Sequence, residues 1–231
     1  MSTVVTFGEI MGRITTEGYM TLRQCLPGKL KLCFAGAEAN VAASIALLGG
    51  QSRFITALPK NDISEACIGN LRNLGVDTSY ILEKNEGRLG LYFVQEGANQ
   101  RPSKVIYDRE GSTVSITDGR EYDWDSVFQG ASILHVSGVT PAISRKAAEA
   151  QMMCIHKAKE HGLLISFDCN FRSKLWNWDP TVTKEQLAGR VLREMVDYAD
   201  ILFAARIDAE ATLGVKVDCP EEYSRIDEQH M

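Results

Sequence analysis

Three short stretches of this 231-residue sequence carry side chains at spacings that could do chemistry. The first is Asp168-Cys169-Asn170-Phe171-Arg172, a polar exit from the apolar run Leu163–Phe167. Ligands of open α/β sheets sit in the crevice beyond the carboxyl ends of the strands. An arginine there meets a phosphate or carboxylate through paired hydrogen bonds; a helix cap with a surface ion pair would use the same residues. The second is Ile106-Tyr107-Asp108-Arg109, with Tyr92 on the preceding extended stretch. Strand alternation puts Tyr107 and Arg109 on one face, able to close over a small acidic or polyhydroxylated molecule. Cross-strand packing with the arginine in water is the other reading. The third runs from Phe34 to Gly50, where Gly36, Ala37, Glu38 and Asn40 open a helix and Leu48-Gly49-Gly50 stops it. Small residues and free N–H groups at a helix start suit a polar or anionic ligand, and they equally suit a tight helix–sheet contact. The histidines offer less: His135 lies in an apolar run, His156 and His161 near a helix end, and His230 in the polar tail.

The elements that must position these stretches follow from periodicity. Val4–Ile10 predicts a strand ending at Gly8, then comes the helix after Gly36, a strand over Arg53–Leu58, a helix over Ile63–Leu74 closed by Gly75, and an extended piece from Val76. That β-α-β-α-β order predicts a parallel sheet covered by helices. Residues 13–33 and 88–118 break the rhythm with alternating, one-face-wet strands, predicting two excursions that could pair into a small lid. The core resumes with strands at Ser132–Gly138, Leu163–Asp168 and Asp200–Ala205, and with helices at 144–160, 184–199 and Asp208–Leu213. Residues 215–231 are polar and without period and read as an irregular tail beyond a domain spanning 1–214.

Composition narrows the classes. With 45% hydrophobic residues the chain can bury a sizeable core, and a net charge of −5 without basic runs argues against nucleic acid. No apolar stretch is long enough for a membrane span, and the first residues read as a strand rather than a secretion signal. Six scattered cysteines (25, 33, 67, 154, 169, 219) with no Cys-x-x-Cys pair read as reduced thiols, so the expected compartment is the cytoplasm. None of the common phosphate-loop, dinucleotide, zinc-protease or nucleophile-elbow motifs occurs. The residues by themselves lead to an α/β protein with a lid, binding a small polar anion.

Taken together, Gly8-Glu-Ile-Met, Ala35-Gly36-Ala-Glu-Ala-Asn40-Val-Ala, Gly90-Leu-Tyr-Phe, Arg101-Pro-Ser-Lys-Val-Ile-Tyr107-Asp-Arg109 and Asp168-x-Asn170-x-Arg172-x-Lys174-Leu-Trp resemble the ribokinase-like (PfkB-type) carbohydrate kinases, within them the 2-keto-3-deoxygluconate kinase branch. The resemblance runs from residue 4 to about 214. It implies a ribokinase-like three-layer α/β sandwich with a mostly parallel central sheet and a small β lid. It also implies transfer of the γ-phosphoryl of ATP, with Mg²⁺, to a sugar hydroxyl. Gly36, Ala37, Glu38, Asn40, Tyr92, Tyr107, Arg109 and Arg172 would hold the sugar acid, with Asn170, Arg172 and Asp208 toward the nucleotide and the metal ligands unassigned. Homodimerisation through the lid is common among such kinases.

Two departures shape the expectation. The family's Asp-Thr-x-Gly-Ala-Gly-Asp segment, whose last Asp is the general base and whose amides form the anion hole, is absent, and so are the surrounding elements. Its Asn-x-x-Glu element is replaced by Ala205-Arg206-Ile207-Asp208. The chain therefore reads as a kinase lacking the C-terminal part of its core and inactive alone, with no catalytic residue to assign. A non-catalytic sugar-acid-binding or interaction protein, and a kinase fragment for another sugar such as fructose, are the alternatives. Ile201–Ala205 is continuously apolar, as in a strand paired and covered on both sides. With the following elements missing, it is expected to keep an open edge and uncovered apolar surface, and so to give marginal stability or need a covering partner.

Overall fold

The computed structural model describes residues 2–215, so the predicted tail, with Cys219 and His230, lies outside the described residues except for Val215. The strands are β1 (Thr3–Phe7), β2 (Met11–Thr15), β3 (Lys31–Ala35), β4 (Gln51–Ile55), β5 (Ala57–Pro59), β6 (Leu82–Lys84), β7 (Leu91–Gln95), β8 (Lys104–Asp108), β9 (Ala131–Ser137), β10 (Leu164–Asp168) and β11 (Ile201–Phe203). The helices are α1 (Leu22–Cys25), α2 (Ala37–Leu47), α3 (Asp62–Asn73), α4 (Thr113–Ile116), α5 (Trp124–Phe128), α6 (Val139–Ile143), α7 (Arg145–Glu160), α8 (Lys184–Val196) and α9 (Arg206–Asp208).

Five strands form the central sheet in the order β11-β10-β9-β1-β4, every neighbouring pair parallel. Parallel pairing forces crossovers, and the helices supply them. α7 is capped by Ser144, whose Oγ accepts the Ala147 N–H at 3.0 Å. It buries Ala147, Ala150, Gln151, Cys154, Ile155 and Ala158, the three-to-four spacing that makes one apolar face. α8 opens on a Thr183/Gln186 capping box and buries Leu187, Ala188, Leu192 and Met195. Both pack, with α5, against the sheet face carrying Val5, Phe7, Leu134, Val136, Ile165 and Phe167. The other face, through Phe54, packs against α2 and α3 by way of Ala39, Ala42, Cys67, Ile68 and Leu71. The result is an α/β sandwich with a fully parallel central sheet.

Strands from both excursions join in one four-stranded sheet ordered β3-β2-β7-β8. β2 pairs parallel with β7, while the two outer pairings are antiparallel. Its inner face presents Arg13, Tyr92 and Tyr107 in register, and Arg109 follows at the end of β8.

Two expectations change. After Val76 the chain pairs only as an isolated Arg53–Asp77 bridge and then as β6. The predicted helix over Asp208–Leu213 is the end of α9 followed by a π-helical turn, Ala209–Leu213, closed by Gly214 at φ 72°. β11, by contrast, is exposed along its length, as expected of an apolar strand whose following elements are missing. Apolarity of a strand records what it can bury against, and among the described residues nothing covers β11 on the α2 side of the sheet.

Candidate functional site

The lid joins the core through Gly8-Glu9-Ile10, and the chain closes back on that hinge at Arg109. Arg109 Nη2 is ion-paired with Glu9 Oε2, both side chains less than one-tenth exposed. Gly90 makes room for the pair, because a Cβ there would lie 2.7 Å from Glu9 Oε1 and 3.3 Å from Arg109 Cβ. Arg109 Nε and Nη1 have no hydrogen-bond partner among the described residues. Its guanidinium stands 5.6 Å from the Tyr107 ring centre, and Tyr107 lies 6.2 Å from Tyr92 across the β7–β8 pair. Burial raises the Tyr92 phenol above its ordinary range.

Beneath this pair the first turn of α2 supplies Glu38, 1% exposed. Its Oε1 accepts the Ser137 hydroxyl at 2.5 Å and the Thr140 hydroxyl at 3.4 Å, while Oε2 packs against Gly8, where a Cβ would come within 2.2 Å. Burial pushes the Glu38 carboxyl up to about 7, against those hydrogen bonds and the Arg109 charge. Gly36 has an extended backbone (φ −163°), so its value lies in space: a Cβ would stand 2.1 Å from the Glu9 carbonyl oxygen. The close backbone contact that small residues permit is present here. Replacing Gly36 by Ala is expected to push the Glu9 segment aside and cost about 1–3 kcal/mol, the range for overpacking a tight site. A denaturation midpoint within error of the parent would contradict that. Ala37 is half-buried, and Asn40 is exposed on the first turn of α2.

Tyr107 and Arg109 line a cavity of about 490 Å³ with Ala142, Ile143, Lys174, Asn177 and Trp178. The wall from Lys174 to Trp178 went unassigned in the sequence, although two tryptophans in a polar stretch were a usable signal. Trp178 Nε1 donates to the Pro141 carbonyl at 3.0 Å, and the Trp176 N–H to that of Ala142 at 3.1 Å, fastening the wall to α6. A groove of about 540 Å³ between α7 and α8, lined by Met152, Met153 and Met195, shares only Trp178 with this cavity.

Asp168, Asn170, Arg172 and Asp208 form a second group. It begins one strand over, because Ser137 and Asp168 are register partners. Asn170 takes a left-handed conformation (φ 35°), tolerated by asparagine, and its N–H donates to Asp168 Oδ1 at 3.2 Å. Burial and the Asp208 charge raise Asp168 above the ordinary carboxylate range, against Asn170 and the neighbouring Arg172. Arg172 itself is exposed. Asp208, read as a nucleotide-side carboxylate, instead turns inward: Oδ1 accepts the Phe171 N–H at 2.9 Å and Oδ2 the Ala205 N–H at 3.0 Å. An acid at the third helical position reaches back to cap its own helix, which explains the change. No group of three metal-ligating side chains occurs among the described residues. With Asp208 spent on backbone, Asp168 alone does not make a magnesium site, and no chemical step is derived through the metal.

Residues 1–230 match the model of the pfkB family of carbohydrate kinases. A 2-dehydro-3-deoxygalactonokinase of Haloferax volcanii is 32% identical over 94% of this chain and 65% of its own length. Fructokinase-2 of Solanum lycopersicum is 28% identical over 91% of this chain and 61% of its own. The chain thus spans less than two thirds of the length of these two relatives. The crystal structure of a 2-dehydro-3-deoxygluconokinase from Thermotoga maritima superposes with a TM-score of 0.88 at 37% identity, covering 99% of this chain and 68% of that one.

Proposed function

The chain belongs to the pfkB family of carbohydrate kinases, and from that premise we propose that its lid cavity takes a 2-keto-3-deoxy sugar acid, while residues 1–231 alone do not phosphorylate it. The observation that carries the reading is Arg109: a residue of the cavity wall, buried, anchored by Glu9, and with two shielded guanidinium nitrogens that have no partner among the described residues. A guanidinium held in place by one carboxylate loses little freedom on meeting a second, and its planar fork matches the sugar acid's own carboxylate. Tyr107 gives the ring a flat apolar wall beside it, with Tyr92 next to it across the β7–β8 pair. Lys174, also lining the cavity, adds a second cation.

Phosphoryl transfer rests on positioning, charge stabilisation and a group that takes the hydroxyl proton. ATP and Mg²⁺ would supply the phosphoryl group and its charge neutralisation. Of the carboxylates near the cavity, Glu9 is in the ion pair, Glu38 is buried against Ser137, Asp108 is paired with Arg88 and Asp208 is in its cap, while Glu110 stands exposed on the cavity rim. Calorimetry with 2-keto-3-deoxygluconate, paired with an ATP-turnover assay, tests both halves. Binding without turnover is the expected result. Absence of binding overturns the substrate, and measurable turnover overturns the inactivity and directs attention to Asp168. The fructokinase relative favours fructose as a second reading. Fructose has no carboxylate for Arg109, so tighter binding of fructose than of the sugar acid would decide for it.

A further inference from the structure

Three ionisable side chains meet at the hinge of the lid, almost out of reach of water: Glu9 (4% exposed), Glu38 (1%) and Arg109 (7%). They arrive from the segment after β1, the first turn of α2 and the residue that follows β8. The cluster holds two carboxyl groups and one guanidinium, so charge balance in a dry site calls for one proton. The geometry assigns it. Glu9 is ion-paired with Arg109, whereas Glu38 Oε1 accepts only the Ser137 and Thr140 hydroxyls and Oε2 has no partner among the described residues. A carboxylate so placed lacks the strong donors that a buried charge requires. Burial accordingly raises the Glu38 carboxyl to about 7, against its hydrogen bonds and the Arg109 charge, which puts the two groups within electrostatic reach of each other. The neighbouring elements leave this count unchanged. On β9, His135 is bonded to Ser166 and lowered by burial, so it is neutral at pH 7. On β4, Arg53 is paired with Asp77, and α6 contributes only Thr140. On the lid, burial keeps the Tyr92 phenol protonated and Asp108 is paired with Arg88. Lys174 and Glu110, of opposite charge, line the cavity from exposed positions.

We propose that Glu38 is a positioning residue that couples sugar-acid binding to a proton: it acts through Arg109, and the cavity holds the ligand's carboxylate only while the Glu38 carboxyl is protonated. The inference rests on the reading of the cavity given above and adds to it the pH range in which the ligand is held. A bound sugar acid brings a third carboxylate toward a single buried guanidinium. Ionised Glu38 draws on that same guanidinium, and in a site of low dielectric the two anions disfavour each other. Glu38 therefore keeps its proton to a higher pH in the complex than in the free protein. The balance is simple: for each ligand bound by a protein with Glu38 ionised, one proton passes from solvent to a Glu38 oxygen, and no bond of the ligand breaks. Where Glu38 is protonated in both states, below about pH 6, affinity is flat; above pH 7 it falls, by at most about tenfold per pH unit. The ligand's own carboxyl ionises far below this range and adds nothing to the slope.

The test is calorimetry of residues 1–231 with 2-keto-3-deoxygluconate, without nucleotide, at about half a pH unit above 7 in Hepes and in Tris, whose ionisation enthalpies differ. The two heats should differ by an uptake of about three quarters of a proton per ligand, the fraction of Glu38 ionised at that pH in the free protein. Titrations on either side of pH 7 then give the slope of the affinity. Glu38→Gln keeps an acceptor for Ser137 and Thr140 but cannot ionise, so it should lose the buffer dependence and the slope together; its urea midpoint reports that it is folded. A heat independent of buffer overturns the proposal on the parent protein alone. So does an affinity that rises with pH. Proton uptake that survives in Glu38→Gln also overturns it and moves the proton to Asp168, itself raised by burial and the Asp208 charge. Absence of binding at every pH removes the sugar acid and the coupling with it, whereas binding without proton uptake removes the coupling and keeps the sugar acid.

Discussion

Replacing Arg109 by methionine is expected to destabilise the protein by about 3–5 kcal/mol and to abolish sugar-acid binding, because it strands the Glu9 carboxylate in a site almost without water. The two effects have different origins, and a second variant separates them. In the double variant Glu9→Gln with Arg109→Met, neither side chain is charged, and most of the lost stability should return. Affinity should not return, since the guanidinium that would meet the ligand's carboxylate is still gone. Urea denaturation gives the first quantity and calorimetry the second. An Arg109→Met protein with the parent's midpoint would show that the pair is not buried as described. A double variant that binds as the parent does would remove Arg109 from the site.

Glu38 gives the other large effect, and its sign follows from linkage. The unfolded side chain loses its proton near 4.5, whereas the folded one holds it to about 7. Below pH 4.5 both states are protonated, and Glu38's contribution to stability is fully present. Between 4.5 and 7 only the folded state keeps the proton, so this contribution is lost as pH rises and is gone above 7. At about 1.4 kcal/mol per pH unit the loss comes to about 3 kcal/mol. Asp77 and Asp179, held below the ordinary carboxylate range by Ser79 and Thr181 hydrogen bonds and by arginines, pull the opposite way as pH falls. The informative quantity is therefore the parent compared with Glu38→Gln, which keeps the shape and removes the titration. Their stability difference should change across pH 4.5–7 and level off on either side. A constant difference would mean that Glu38 is charged at neutral pH.

Much of the architecture was legible in the residues because local pattern and global fold agree in this chain. The burial of α7 at Ala147, Gln151, Cys154 and Ala158 is a helical stripe that any reader of the sequence would find. The lid was announced by alternation in Leu91–Gln95 and Lys104–Asp108, and Tyr107 with Arg109 fell on one face because the period of a strand is two. The pairing partner was less accessible. That β2 lies parallel to β7, joining two excursions far apart in the chain, is a long-range choice with no local signal. The site divides along the same line. Arg109 was found as a cation on a lid strand, but its anchor Glu9, sitting in a strand-exit motif, went unassigned. Gly36 was singled out for its smallness, yet the close neighbour proved to be the Glu9 carbonyl.

The sequence by itself determined which segments become helices and strands, that the sheet is parallel, and that the cation and the aromatics share a lid face. Those are properties of spacing along one chain, set by the 3.6- and 2-residue periods. Only the tertiary structure decided that Glu9 holds Arg109 and that Glu38 lies buried where its proton is retained to about 7. Burial and charge environment depend on which distant segments arrive at a point in space, and no period records that.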